Sequence, residues 1–196
     1  AARGFGSIHE GRKVGRGGWC QVFSLTPTKM VVAGEGGLVC TDDEELAEEL
    51  RVGREYGNDG SYDTVFSGLN ARLSEMHCSL ARASLAMLED VVAHRNQVAG
   101  ALMKALAEVP GIGFQKITPR SRTTYKDFTI VVEPQAFGIT RDRLVEALLA
   151  EGVPTRKYFS PPCHQHKAFR EYARRPLPRT ETLASRCLSL PLLEME

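Results

Sequence analysis

The chain has 196 residues, of which 42% are hydrophobic and 25% are charged, and its formal net charge is +1 at pH 7. This length and composition predict one large or two small globular domains, and the small net charge gives no reason to expect nucleic acid or an acidic membrane as a partner. No run of about 18 apolar residues is present, so no membrane-spanning helix is predicted. The five cysteines form no C-x-x-C pair, which predicts reduced thiols and a cytoplasmic location.

After a glycine-rich, basic start, two short strands are predicted around a loop that carries one lysine. The strands cover residues 19–25, predicted to be buried, and 37–41, and Lys29 lies between them. Ser24 precedes the lysine by five residues, and a Gly-Glu-Gly-Gly cluster begins five residues after it. Apolar neighbours desolvate an amine and make it nucleophilic, while hydroxyls and glycine N–H groups can bind an anion. By itself the pattern indicates either a covalent lysine beside a phosphate subsite or a surface lysine next to a tight turn.

Two helices are predicted after this loop, each from a residue that can cap its first turn. Six acidic residues at positions 42–49 predict the solvent-facing start of a helix rather than a metal site, with Thr41 or Asp42 as the cap. Ser74 is predicted to cap a second helical pattern, which is uninterrupted over residues 76–109. This long helix is expected to link two domains.

Short elements are predicted in the rest of the chain. Thr140 can cap a helix, and residues 154–159 are predicted as one of the strands on either side of it. This alternation of strands and a helix predicts a small α+β domain over residues 110–196. The cysteine and two histidines of residues 163–166 lack the spacing of a structural zinc site, so no metal is predicted.

Three segments resemble one family of enzymes. F-S-x-x-x-T-K-x-x-x-x-G-E-G-G over residues 23–37, G-L-N-A-R-L-S-E over 68–75 and E-G-V-P-T-R-K-Y-F-S-P-P-C-H over 151–164 resemble the DegT/DnrJ/EryC1/StrS family of pyridoxal-phosphate-dependent sugar aminotransferases. The resemblance implies an α/β fold of fold type I. Residues 1–75 would form the C-terminal part of the cofactor-binding large domain, a three-layer α/β/α structure with a mostly parallel sheet. The interdomain helix and the small α+β domain would follow.

The resemblance also implies roles for particular side chains. Lys29 would carry pyridoxal 5'-phosphate as an internal aldimine, and Ser24 would contact the cofactor phosphate. Asn70 would reach the cofactor of the neighbouring subunit, so a homodimer with shared active sites is expected. Tyr158 and His164 are expected on the substrate side, with a core tyrosine and a surface-loop histidine as the plain alternatives.

The reaction implied by the resemblance moves an amino group from glutamate or glutamine to a keto-sugar. The acceptor would be linked to a nucleoside diphosphate, as a 3- or 4-keto-6-deoxysugar, in antibiotic or surface-glycan biosynthesis. Two alternatives stay open at this point. One is a non-catalytic interaction or regulatory protein on a degenerate aminotransferase fold, and the other is an aminotransferase that acts on a cyclitol ketone.

The first residues of the chain depart from the family pattern. In the family, an aspartate that pairs with the pyridine nitrogen of the cofactor stands directly before Ala-Ala, and Gln or His follows. This chain begins Ala1-Ala2-Arg3. We therefore expect the 196 residues to be the C-terminal half of a longer enzyme, truncated at both ends and inactive by themselves.

Overall fold

The computed structural model describes residues 1–192, and the chain forms two compact units. The first unit contains Ala1–His94 and Ile117–Lys126, and the second contains Arg95–Lys116 and the chain from residue 127 onward. The division therefore falls at other positions than the predicted domain boundaries. Residues 117–126 belong to the first unit because Ile8 and Arg122 exchange two backbone hydrogen bonds of 2.8 and 2.9 Å.

Two antiparallel hairpins begin the first unit. β1 (Ile8–His9) pairs with β2 (Arg12–Lys13), and β3 (Gln21–Ser24) pairs with β4 (Gly37–Cys40). The strands predicted around the lysine loop are present but shorter than expected. Trp19, predicted to lie in a buried strand, is outside β3 and 69% exposed. Ser24 pairs with Gly37 in the second hairpin. The two ends of the intervening loop, residues 25–36, are therefore close together.

The loop between β3 and β4 is anchored in the hydrophobic core of the first unit. That core consists of five buried aliphatic residues, three from the loop and two from a helix: Leu25, Val31, Ala33, Leu88 and Val92. Burial of each large aliphatic side chain contributes about 1.5–3 kcal/mol to folding. The segment on both sides of Lys29 is therefore held by packing and is not free to move as a surface loop.

Three helices complete the first unit and lead into the second. They are α1 (Glu44–Gly53), α2 (Glu75–Ala86) and α3 (Leu88–Leu106). Asp43 caps α1 by accepting the N–H of Leu46 at 3.0 Å, one residue beyond the predicted caps, and Ser74 caps α2 as predicted. The structure divides the predicted single helix over residues 76–109 at Met87. The N–H of Met87 donates a hydrogen bond of 3.3 Å to the carbonyl oxygen of Ser84, three residues earlier. This three-residue bond tightens the last turn of α2, and the helix ends there.

The second unit contains a three-stranded antiparallel sheet, and its helices lie between the strands along the chain. Its strands, in spatial order, are β5 (Ile112–Phe114), β6 (Phe128–Val132) and β7 (Cys187–Leu190). Its helices are α4 (Pro134–Phe137), α5 (Arg141–Ala150) and α6 (Pro178–Arg186), with 3-10 helices at Cys163–Gln165 and Lys167–Tyr172. Phe128, Ile130 and Val132 are buried because alternate residues of β6 face the same side of the sheet.

Two predictions for the second unit need correction. Residues 154–159 do not form a strand, since only Arg156 pairs there, exchanging backbone hydrogen bonds of 3.0 and 2.8 Å with Ser189. Pro154 has no N–H and cannot extend that ladder. Strand β7, which supplies Ser189, was not predicted. Thr140 does cap α5, accepting the N–H of Arg143 at 3.3 Å.

Every strand pair within residues 1–192 is antiparallel, so none of these sheets is the mostly parallel sheet expected of the large domain. No helix in the described part of the chain is both long and apolar enough to cross a membrane.

Candidate active site

Lys29 and Ser24 meet through a third side chain, that of Thr26. Lys29 Nζ donates a hydrogen bond of 2.9 Å to Thr26 Oγ1, and Ser24 Oγ donates one of 3.4 Å to the same oxygen. All three residues are half-buried. An amine and two hydroxyls thus lie in one row at the end of β3.

A tight turn produces this arrangement. The backbone N–H of Lys29 bonds Thr26 O at 3.0 Å, so residues 26–29 close a β-turn with Pro27 at its second position. Proline favours that position because its φ is already fixed near the required value. The turn folds Lys29 back over Thr26. Sequence reasoning identified Lys29 and Ser24 but not Thr26, although the Thr-Pro-x-Lys order is a turn signal that places the threonine beside the lysine.

Contacts after the lysine fix the other side of the loop. Val31 is 3% exposed in the core, and the N–H of Val32 donates a hydrogen bond of 3.0 Å to Ser84 Oγ on α2. The loop is also closed on itself, because Ala33 N–H bonds Leu25 O at 2.8 Å. Lys29 is therefore carried by a loop with a defined shape.

The glycine cluster lies against the start of α2. Gly36 has φ +133° and a Cβ there would lie 2.6 Å from Leu73 Cδ1, closer than packed atoms approach. Gly34 has φ +86° and a Cβ there would lie 3.2 Å from the ring of His77. The backbone conformation at Gly36 favours glycine, and a side chain there would also displace the end of Leu73. The structure therefore brings the lysine loop and the G-L-N-A-R-L-S-E segment into direct contact.

Asn70 is exposed and is held by a close approach of two backbone segments. A Cβ on Gly68 would lie 2.1 Å from Gly57 N, so only glycine fits there. On either side, Leu69 N–H bonds Gly53 O at 2.7 Å and Tyr56 N–H bonds Leu69 O at 3.0 Å. These bonds fix the backbone before Asn70 while its side chain faces the surface.

Arg72 joins Asn70 to the segment after α1. Its guanidinium forms an ion pair of 2.8 Å with Glu55 and donates a hydrogen bond of 3.4 Å to Asn70 Oδ1. It also lies 5.3 Å from the centre of the Tyr56 ring. The Asn70 amide is therefore oriented by its own unit.

The remaining candidates, Tyr158 and His164, belong to the second unit. The ring of Tyr158 stacks on Phe159 with centroids 4.6 Å apart. His164 Nε2 lies 3.0 Å from Glu181 Oε1, which also accepts the N–H of Leu177 at 3.1 Å. These two hydrogen bonds, that from Leu177 first, lower the pKa of the Glu181 carboxyl from its ordinary value. His164 lines a cleft of about 590 Å³ together with basic residues that include Arg170, Arg174 and Arg175.

The chemistry of the first unit follows from its groups. An amine can bond to a carbonyl carbon, and hydroxyls beside glycine-rich backbone can bind phosphate oxygens. The row of Lys29, Thr26 and Ser24 thus suits a phosphate-bearing carbonyl compound. Among the described residues, no group of three His, Cys, Asp or Glu side chains is arranged to bind a metal ion.

Comparison with known proteins identifies similar sequences over nearly the whole chain. A dTDP-3-amino-3,4,6-trideoxy-alpha-D-glucose transaminase of Streptomyces venezuelae is 35% identical over 195 residues, which are 98% of this chain and 50% of the relative. The erythromycin biosynthesis sensory transduction protein EryC1 of Saccharopolyspora erythraea is 34% identical over 194 residues, with coverages of 97% and 51%. The chain spans about half the length of these curated relatives.

Solved structures give the same result. The structure of S. venezuelae DesV in complex with a ketimine intermediate matches with a TM-score of 0.89 and 35% identity, covering 97% of this chain and 50% of that one. DesI in the presence of its TDP-sugar product matches with a TM-score of 0.88 and 37% identity, with coverages of 97% and 49%. This likeness confirms the predicted fold class, that of part of a fold-type-I aminotransferase.

The family profile decides the assignment, because it covers the lysine loop, the Asn70 segment and nearly all of the second unit. It matches residues 1–195. The chain belongs to the DegT/DnrJ/EryC1/StrS aminotransferase family.

Proposed function

We propose that the protein containing this chain is a pyridoxal-phosphate-dependent sugar aminotransferase and that Lys29 is its covalent lysine. The hydrogen-bonded row of Lys29, Thr26 and Ser24 carries the proposal, since it sets an amine beside two hydroxyls of the kind that can bind phosphate. The family to which the chain belongs supports the same activity.

The side chains of the loop fit pyridoxal phosphate. Lys29 would bond to its aldehyde carbon, and the Ser24 and Thr26 hydroxyls are of the type that contacts its phosphate. When bound, the cofactor supplies a ring that withdraws electrons from the substrate carbon and so eases removal of its proton.

Lys29, Thr26 and the segment after the lysine have different roles in this mechanism. The free amine of Lys29 would act first as a general base and then as a general acid. It would take a proton from the reacting carbon of the substrate and give it to a carbon of the cofactor. Thr26 holds that amine when it is free, as the 2.9 Å hydrogen bond indicates. The burial of Val31 and the Val32–Ser84 hydrogen bond keep the amine in place, and such positioning accounts for much of the catalytic effect of bound groups.

The proposed substrates are an amino donor, glutamate or glutamine, and a keto-sugar linked to a nucleoside diphosphate. The similarity to a dTDP-amino-sugar transaminase and to DesI, solved with its TDP-sugar product, supports a nucleotide-linked acceptor. The proposed assembly is a homodimer in which Asn70 completes the site of the partner. Its exposed amide, oriented by Arg72, is available for such a contact.

The test is covalent labelling of Lys29 in the full-length protein. The protein is incubated with pyridoxal phosphate, reduced with borohydride and digested, and the labelled peptide is identified by mass spectrometry. We expect the label on Lys29, its loss in Lys29→Ala, and its retention in the control Lys104→Ala on α3. A protein that takes no label on Lys29 is not this enzyme, and a non-catalytic family member would behave in that way.

Acceptor specificity is tested separately with the same protein. With glutamate or glutamine as donor, we expect amine transfer to a keto-sugar nucleotide. Transfer to a cyclitol ketone alone would replace the sugar in the proposal while leaving the role of Lys29 intact.

A further inference from the structure

A buried arginine at the start of α5 contacts two other parts of the second unit. Arg141 is 2% exposed. Its guanidinium donates hydrogen bonds of 3.1 and 2.7 Å to the carbonyl oxygens of Ala184 and Cys187, and a longer one of 3.5 Å to the hydroxyl of Ser160. Its Nε–H bonds the carboxylate of Asp142 at 2.8 Å. The guanidinium is therefore fixed where α6 meets β7, and it orients the carboxylate beside it.

The Asp142 carboxylate also contacts the segment that carries Tyr158. The oxygen that accepts from Arg141 forms an ion pair of 2.5 Å with Lys157 Nζ, so it bridges a buried guanidinium and an ammonium from another segment. The side chains of Asp142 and Lys157 are 58% and 40% exposed. Ion pairs with this exposure add little to the stability of a fold. The main consequence of the pair is therefore the place that it gives to Lys157.

Residues 157–160 form a tight turn whose two ends contact the start of α5. The N–H of Ser160 bonds Lys157 O at 2.8 Å, so Tyr158 and Phe159 occupy the two central positions of the turn. Lys157 contacts the second residue of α5 and Ser160 contacts the first. Consecutive residues of one helix thus hold both ends of the turn.

The turn presents two aromatic rings in a fixed arrangement. The ring of Tyr158 stacks on that of Phe159 with centroids 4.6 Å apart, and Phe159 is 57% exposed. Small-molecule sites are lined mainly by apolar and aromatic side chains, with few polar groups to orient the ligand. The turn therefore offers a surface of the kind that receives a ring-shaped substrate.

We propose that Asp142 is a positioning residue for the acceptor: through Lys157 it holds the Tyr158–Phe159 turn in the shape that receives the keto-sugar. The inference rests on the proposed function, which supplies this acceptor. Neither Asp142 nor Lys157 touches the sugar in this arrangement. A pair that adds little stability can still affect the reaction, because a displacement of about 1 Å in a group that positions a substrate can cost about 100-fold in rate.

Steady-state kinetics of the full-length protein test this role. Asp142→Asn and Lys157→Met each remove the ion pair. We expect each to raise KM for the keto-sugar nucleotide about fivefold, while kcat and KM for the amino donor stay within about twofold. Lys157→Arg keeps a cation at this position and should stay within about twofold of the parent. The matched control, Arg143→Ala, removes an exposed pair with Glu146 on the same helix and should leave KM unchanged.

The double variant of Asp142→Asn with Lys157→Met separates positioning from direct contact. If the two residues act only through each other, its KM should equal that of either single variant. Effects that multiply in the double variant would overturn the proposal. A KM that rises in Lys157→Met and keeps the parent's value in Asp142→Asn would also overturn it, because the lysine itself would then contact the acceptor.

Hydrogen exchange of the same proteins follows the turn without any turnover. We expect the Ser160 amide to exchange about fivefold faster in Asp142→Asn and Lys157→Met, and at the parent's rate in Arg143→Ala. Faster exchange with an unchanged KM would show that the pair holds the turn but that the turn does not receive the acceptor.

These measurements also separate this proposal from the proposed function. A parent protein that transfers no amine to any keto-sugar nucleotide refutes the proposed acceptor, and this role with it. An active parent in which both variants keep KM and the exchange rate unchanged refutes the role of Asp142 alone.

Discussion

The hydroxyl of Ser84 accepts a hydrogen bond of 3.0 Å from the backbone N–H of Val32, although 52 positions separate the two residues. Val32 lies three residues after Lys29, in the loop that carries the proposed covalent amine. A side chain on α2 thus fixes the backbone of the lysine loop. Under the proposed function, stability and cofactor binding would both depend on this one serine.

Ser84→Ala should destabilise the fold, since it leaves the half-buried Val32 N–H without its acceptor. We expect a loss of about 1–3 kcal/mol in the free energy of unfolding, measured by urea denaturation. Ser79→Ala, on an exposed position of the same helix, should change stability by less than about 0.5 kcal/mol. Equal effects of the two substitutions would show that the hydrogen bond is not important for the loop.

Thr26→Val should weaken pyridoxal phosphate binding, because it removes a hydroxyl proposed to contact the cofactor phosphate while keeping the side-chain shape. We expect about a tenfold increase in Kd, followed by absorbance titration of the full-length protein. Thr26→Ser keeps the hydroxyl and should bind within about threefold of the parent. A valine variant with unchanged affinity would remove Thr26 from the site.

Arg141→Met should destabilise the second unit strongly. Arg141 is 2% exposed, and its guanidinium donates hydrogen bonds of 3.1 and 2.7 Å to Ala184 O and Cys187 O at the end of α6. Loss of these donors leaves buried carbonyls unpaired, so we expect about 3 kcal/mol in urea denaturation. The neighbouring Arg143→Ala removes only an exposed pair with Glu146 and should cost less than about 0.5 kcal/mol.

Asp142 should make the stability of the second unit depend on acid pH. The hydrogen bond from Lys157, and after it the charge of Arg141, lower the pKa of Asp142 from its ordinary value of 3.8, with desolvation opposing them. A carboxyl whose pKa is lower in the folded state stabilises the fold at pH above the unfolded value, and this contribution disappears as pH falls through the folded value.

Asp142→Asn should therefore lower the urea midpoint at pH 7. The difference from the parent should shrink as pH falls below the ordinary value of 3.8 and vanish once pH is below the lowered pKa of the folded state. Asp63→Asn, in the exposed loop before Asn70, is the control for general effects of charge removal. A difference between Asp142→Asn and the parent that persists unchanged at the lowest pH would contradict this origin.

Local features of the site could be predicted from sequence because neighbouring residues determine them. Ser74 and Thr140 cap helices through their own side chains, and the spacing of Ser24 and Lys29 is fixed by the strand and turn between them. Gly36 is a further local feature, because the glycine cluster itself predicts a tight turn before the strand, and Gly36 has a positive φ there.

Features that depend on distant contacts could not be predicted. Nothing in the sequence around Ser84 distinguishes it from other serines in helices. Its role depends on the hydrogen bond that it accepts from Val32, 52 residues away. The break at Met87 carries no Pro or Gly to mark it. Strand β7 is recognised only once β6 is beside it, since four residues give too short a pattern to separate a strand from the end of a helix.

The base of the lysine loop is closed by two opposed backbone hydrogen bonds, from Ala33 N–H to Leu25 O and from Leu25 N–H to Gly36 O. Backbone bonds of this kind persist through most side-chain replacements. The position of the Lys29 amine consequently depends on the backbone of twelve consecutive residues, 25–36, on Ser84, which bonds that backbone, and on the core of Leu88 and Val92, against which the loop packs. A family built on such a segment can diverge widely in the surfaces that select substrates while the distance from amine to strand stays constant.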